Sequence, residues 1–180
     1  YEAGLEELKG GDAIYAAKKF NEAEMLFPQS DVAPKAALMA AYSYYSQNYY
    51  LDAVAELNRF IKIYPNHQNI TYAEYLLGLC YYEQIIDEKK DLKSIKNSKE
   101  IFLNVIKKYP NTDFAIDAKF KLDLIDNILA AKEMYVGRYY FDRKKWIASI
   151  NRFKFVIDNY ETTIYVEEAL HRLVEIYFIL

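Results

Sequence analysis

The chain has 180 residues and a formal net charge of −3, from 26 acidic and 23 basic side chains, which excludes a broadly basic nucleic-acid footprint. An apolar fraction of 53% excludes wholesale disorder, and only five glycines and four prolines argue against a loop-rich sandwich and for long helices. The single cysteine, Cys80, excludes an internal disulfide framework and a cysteine-cluster metal site, while tyrosine, at 19 residues, is over-represented. No run of apolar residues is long enough for a transmembrane helix. Tyr1 already lies inside an amphipathic stretch and the apolar run to Leu180 has no stop signal. Both ends therefore read as cuts within a longer protein, with any export signal or lipid anchor upstream.

Taken in chain order, the elements repeat. Helix-period apolar runs end at Phe27-Pro28, Tyr64-Pro65-Asn66, Tyr109-Pro110-Asn111 and Tyr160-Glu161. A proline after such a stripe fits a helix stop, because it lacks a backbone donor and clashes with the preceding turn. Reading back from each stop gives Ala16, Phe20, Ala23; then Ala53, Leu57, Phe60; then Ser98, Phe102, Val105; then Ser149, Phe153, Val156. That is the spacing of the tetratricopeptide repeat. The helix before each run carries a small residue, namely Gly4, Ala41, Gly78 and Gly137, followed three positions later by Tyr44, Tyr81 and Tyr140 in the last three units. Glycine inside a helix costs about 0.5–1 kcal/mol relative to alanine, so its recurrence in one slot predicts close approach of a partner helix.

Two irregularities interrupt the register. The charged stretch Asp87–Lys93 adds residues within the third unit and reads as a solvated loop, with a partner contact as the alternative. Residues 113–142 contain no proline or turn cluster and predict one long helix, or two, before the fourth unit. A fifth unit begins near Tyr165, with Val174 and Tyr177 on its first helix. The expected fold is an all-α tetratricopeptide-repeat superhelix of four to five helix-turn-helix units. Residues 1–110 would hold repeats one to three and a peptide groove, and 111–180 the long helix, repeat four and the partial fifth.

Catalytic constellations are missing from the sequence: no phosphate-cradling glycine loop, no paired-histidine metal motif and no nucleophile elbow. His67 and His171 read as surface or packing histidines, and Asp117, Asp123 and Asp126, alternating with Lys119 and Lys121, as an exposed helix face. Cys80 reads as a packed, inert thiol. Neither a cofactor nor a catalytic role is expected.

In arrays of this type the first helices line the concave face, and the slots at −3, +1 and +4 from the small residue point into it. These are Leu38, Tyr42 and Tyr45 in the second unit and Tyr75, Leu79 and Tyr82 in the third, with Tyr72 one turn earlier. Tyrosine offers large contact area at low entropic cost, which suits an extended peptide with aromatic side chains; the alternative is that these rings fill space between helices. With Phe27 near the first turn, the expected client groove is Phe27, Tyr42, Tyr45, Tyr72, Tyr75 and Tyr82. The lysine–asparagine carboxylate clamp of the chaperone-tail co-chaperones is absent, since its first-unit slots hold Tyr1 and Leu5.

Several stretches resemble the BamD family (also called ComL or YfiO), tetratricopeptide lipoproteins of the bacterial outer-membrane β-barrel assembly machinery. They are Arg59-Phe60-Ile61, Tyr64 through Tyr72, Tyr75 through Leu79, Tyr109 through Thr112, and Trp146 through Arg152. The extra segment in the third unit and the long helix before the fourth are also similar, although the inserted loop is short and Glu161 stands where a proline is usual. The resemblance implies a non-enzymatic scaffold on the periplasmic face of the outer membrane, touching the membrane only through an N-terminal lipid anchor. It implies that the amino-terminal half receives aromatic-ended segments of unfolded outer-membrane proteins. The carboxy-terminal half would dock the BamA periplasmic domain and small lipoproteins of the machinery, with Arg152 pairing an acid on BamA. No nucleic-acid partner is implied. The rival reading is a periplasmic tetratricopeptide protein of the Tol–Pal or cell-division type, and an enzyme on a helical array is a distant third.

Overall fold

The computed structural model describes residues 1–85 and 92–180; most of the charged 87–93 stretch lies outside the described residues. Those residues form nine helices and no strand: α1 (Glu2–Gly10), α2 (Ala13–Leu26), α3 (Ala33–Ser46), α4 (Tyr50–Ile63), α5 (Ile70–Glu83), α6 (Leu92–Lys108), α7 (Asp113–Asp142), α8 (Trp146–Asn159) and α9 (Val166–Ile179). The fold is all-α and of tetratricopeptide type. The segment at 113–142 is one helix of 30 residues. The described residues divide into two compact units, 1–85 with 93–118, and 119–180.

Three devices recur in both units. The first is the glycine slot. A Cβ built on Gly4 would stand 2.8 Å from Cε1 of Phe20, on Gly78 2.6 Å from Cε1 of Phe102, and on Gly137 2.5 Å from Cε1 of Phe153. All three rings are fully buried, so each second helix presses a phenyl ring onto bare backbone of the first. Where the ring is replaced by Leu57, the small slot holds Ala41, and both lie in one buried cluster. The serines of the later units add a bond to the same backbone: Ser98 Oγ donates to the Gly78 carbonyl at 3.1 Å and Ser149 Oγ to the Gly137 carbonyl at 2.9 Å.

The second device is the tight turn inside a hairpin. Gly11, Asn48 and Lys144 each fall seven residues after the small slot and have φ of 86°, 64° and 55°. Around each, an N–H reaches back five residues (Asp12 to Glu7, Tyr49 to Tyr44, Lys145 to Tyr140), which satisfies the last carbonyls of the first helix.

The third is the stop after the second helix. α2, α4, α6 and α8 all end one residue before Phe27, Tyr64, Tyr109 and Tyr160. The fourth stop keeps this place although Glu161 replaces proline. Thr163 holds it by donating its N–H and Oγ1 to the Tyr160 carbonyl, as Ser30 does to Phe27 and as the Thr112 N–H and hydroxyl do to Tyr109. Proline reinforces this stop and is not required for it.

In the first unit, α3 is the central element. Ala33, Ala36, Ala37, Ala40 and Ala41 are buried, which lets α2 and α4 close around it, while α5 packs on α4. In the second unit, Ala130, Met134, Phe153, Val156, Ala169 and Ile176 form the core where α8 and α9 pack.

Candidate peptide-binding groove

With its alanines turned inward, α3 presents its larger side chains along the remaining stripe. Leu38, Met39 and Tyr42 from α3, Tyr72 from the first turn of α5 and Phe114 from the first turn of α7 wall a groove of about 630 Å³ in the first unit. Tyr1, Lys35, Gln68, Asn69 and Thr71 complete its lining. The walls are mainly apolar, with a few polar groups and one charged side chain, the composition of a site that takes side chains of another molecule.

The expected groove residues divide into four sets. Tyr42 and Tyr72 line the groove. The Tyr72 ring lies 5.7 Å from Phe114, and burial, then the nearby Tyr42 and Tyr45, pushes its phenol up to about 12. Tyr45 and Tyr75 are outside the lining and pack against other rings. Tyr45 packs 6.0 Å from Tyr50, and its phenol is raised by burial and then by Glu83. Tyr75 lies 5.3 Å from Phe114 and 6.0 Å from Phe102, and its hydroxyl donates to Asp117 Oδ2; burial and then that bond raise its phenol. Tyr82 is half-buried on α5, outside the lining, with its phenol raised by burial and then by Glu83. Phe27, 66% exposed, lies in a separate depression of the first unit with Leu26 and Val32.

Phe114, Lys35 and Met39 are groove residues that slot counting does not reach. Lys35 precedes the −3 slot by a turn, and the extra helix length between Pro110 and Gly137 shifts Phe114 out of register. Asp117, expected on an exposed face, is half-buried as the acceptor for Tyr75.

A charged cluster between α2 and α4 also has no signal in the repeat pattern. Arg59 grips the buried Glu24 through both carboxylate oxygens, Nη1 to Oε1 at 2.9 Å and Nη2 to Oε2 at 2.7 Å. It also donates Nε to Glu56 at 2.9 Å and Nη2 to Asn21 at 3.1 Å, and the Tyr64 hydroxyl donates to Glu24 at 2.8 Å. The bond to Glu24 is the leading cause of a raised Arg59 guanidinium. Every strong donor and acceptor here is engaged within the chain, so the cluster fastens the first hairpin to the second.

In the second unit, Arg152 Nη1 meets Glu133 Oε2 at 2.8 Å, and Arg152 lines a shallow hollow of about 310 Å³ with Tyr140, Ala148, Asn151 and Phe155. His67 packs edge-on against Phe60 and accepts the Asn69 N–H at its Nδ1, while His171 is exposed beside Glu175. Cys80 is fully buried, and burial pushes its thiol up to about 12. Among the described residues no group of three histidines, cysteines or carboxylates could hold a metal, and no helix is long and apolar enough to cross a membrane.

The family model YfiO, described as outer membrane lipoprotein, matches residues 1–180. The chain is 38% identical to the "Outer membrane protein assembly factor BamD" of Caulobacter vibrioides, over 98% of this chain and 58% of that protein. It is 46% identical to the protein of the same name from Rickettsia prowazekii, over 92% and 66%, and 33% identical to that of Neisseria gonorrhoeae, over 94% and 67%. The chain thus spans roughly three fifths to two thirds of the length of these relatives. A match along the whole chain, on a helical-hairpin fold, means that it belongs to the YfiO family of outer membrane lipoproteins, the BamD family.

Proposed function

We propose that this chain is a non-enzymatic adaptor of outer-membrane β-barrel assembly. Its first unit holds aromatic-ended segments of unfolded outer-membrane proteins, and its second docks the BamA periplasmic domain and small lipoproteins of the machinery. The observation that carries the reading is the groove walled by Tyr42, Tyr72 and Phe114. Aromatic walls on packed helices give a rigid surface for side chains of an extended peptide. The relatives' names, outer membrane protein assembly factor, supply the class of client. The family description, outer membrane lipoprotein, supports a lipid-anchored position on the periplasmic face of that membrane.

Arg152 is the docking residue of the second unit. Glu133 occupies its guanidinium in the chain alone, so docking is an exchange in which a partner carboxylate replaces an internal one.

The groove is tested by the binding of a barrel-derived C-terminal peptide, followed by fluorescence anisotropy. Truncating an aromatic anchor at such an interface costs about 2 kcal/mol or more. Tyr42→Ala/Tyr72→Ala is expected to weaken binding roughly thirtyfold or more, whereas Tyr75→Phe, which removes only the bond to Asp117, leaves it unchanged. Unaltered affinity in Tyr42→Ala/Tyr72→Ala, with helical content intact, would make these rings packing residues.

A further inference from the structure

We propose that the groove reads a chain end: Lys35 holds the free α-carboxylate of the client's terminal aromatic residue, so an amidated or internal aromatic residue binds less well. The inference rests on the groove reading above and adds to it the class of ligand.

Lys35 is the one charged side chain in the lining, and it is exposed on the first turn of α3. No acid pairs with it among the described residues. Asp31, one turn before it, and Asp113, beside Phe114, are outside the lining. Most acids buried or half-buried in the same unit are already engaged: Glu22 with Lys19, Glu24 and Glu56 with Arg59, Glu74 with Lys108 at 2.8 Å, and Asp117 with Tyr75; Glu7, half-buried on α1, is outside the lining.

The first turns of α3 and α5 also contain no acidic residue. A lysine in a first turn adds to the positive end of its helix dipole, where an acid would offset it. The polar lining beside it, Gln68, Asn69 and Thr71, is neutral. The groove therefore lacks one complement, an anion, next to walls that accept an aromatic ring. A terminal aromatic residue carries both groups on one Cα.

The energetic scale follows from exposure. An ammonium in water gains little from a single carboxylate, so Lys35 contributes discrimination and encounter rate, and the aromatic walls contribute most of the affinity.

The test uses a synthetic, fluorescently labelled decapeptide ending in phenylalanine, prepared as the free acid and as the C-terminal amide. Each is titrated with this chain, with Lys35→Gln and with Lys35→Arg at low salt. The free acid is expected to bind the parent chain about fivefold more tightly than the amide, a factor typical of one exposed charge pair. Lys35→Gln should abolish that ratio, Lys35→Arg should keep it, and added salt should shrink it. Equal affinities on the parent chain would overturn the end reading and leave the aromatic groove standing. A preference that survives Lys35→Gln would overturn the assignment to Lys35. If neither peptide binds the parent chain, the groove reading falls, and this inference with it.

Discussion

Gly78 lies beneath the ring of Phe102, so close that a methyl group at the glycine would stand 2.6 Å from Cε1 and 3.2 Å from Cγ2 of Ile101. Phe102 is fully buried and has no room to retreat. Gly78→Ala is therefore expected to destabilise the first unit by about 2 kcal/mol, because overpacking outweighs the gain in helix propensity. Adding Phe102→Leu should recover most of the loss, since Ala41 beside Leu57 is that arrangement in the second hairpin. Urea unfolding of the two single variants and the double variant measures the coupling. Simple additivity would mean that the ring and the glycine are energetically independent.

Lys144 takes φ of 55° in the turn between α7 and α8, where its register equivalents are Gly11 and Asn48. A left-handed backbone disfavours a long side chain and suits glycine or asparagine. Lys144→Asn should raise stability by about 0.5 kcal/mol, and Asn48→Ala should lower it by about 1 kcal/mol, both read as shifts in thermal midpoint. A lower midpoint for Lys144→Asn would contradict the strain.

The buried phenols predict a limit on the alkaline side. Tyr72 is raised from 10.0 to about 12, first by burial, and Tyr64 likewise, first by burial and then by its bond to Glu24. The unfolded chain ionises these groups near 10 and the folded chain near 12. The stability they contribute is therefore complete below pH 10 and is lost as pH rises through 12. Urea midpoints measured between pH 9 and 12 should fall across that window, and Tyr72→Phe should make the fall shallower. An unchanged slope would assign the transition to other groups.

What the sequence reveals is mostly local. Glycine slots, left-handed turns and helix stops depend on residues within one hairpin, so period and spacing find them. Tyr42 and Tyr72 belong to the same pattern because they project from first helices at counted positions. Phe27 follows α2, a second helix, and so sits in a depression apart from the walls that first helices supply. Phe114 is hidden by the added length of α7, which breaks the count. The Glu24–Arg59 pair joins residues 35 apart in two second helices, and no periodicity specifies which charges will meet. Tyr64 looks like a helix stop and is one, yet its hydroxyl also serves that distant carboxylate.

Arg152 and Arg143 offer a matched comparison. Arg152 is held by Glu133, whereas Arg143 lies over the Tyr139 ring at 3.5 Å from its centre. Arg152→Glu should reduce co-purification with BamA far more than Arg143→Glu, because a desolvated interfacial pair loses about 2–5 kcal/mol when one partner is removed. Its melting temperature should fall only modestly, by the cost of leaving the half-buried Glu133 unpaired beside a like charge, and a partly exposed pair of this kind contributes about 1 kcal/mol. Glu133→Gln should strengthen docking by releasing the guanidinium. Equal behaviour of the two arginine variants would move the docking face elsewhere.

Cys80 gives the first unit an internal clock. Its thiol is enclosed by α3, α4 and α5 and stays protonated well beyond neutral pH, so the folded state offers an alkylating reagent neither access nor thiolate. Reaction then waits for these helices to part, and its rate, divided by that of an unstructured thiol, equals the fraction of time they spend open when closing outpaces alkylation. The chain has one cysteine, so the signal carries no contribution from the second unit. Occupancy of the groove, which borrows Leu38, Tyr42 and Tyr72 from the helices that enclose the thiol, should therefore slow the labelling of a sulfur that the ligand never touches.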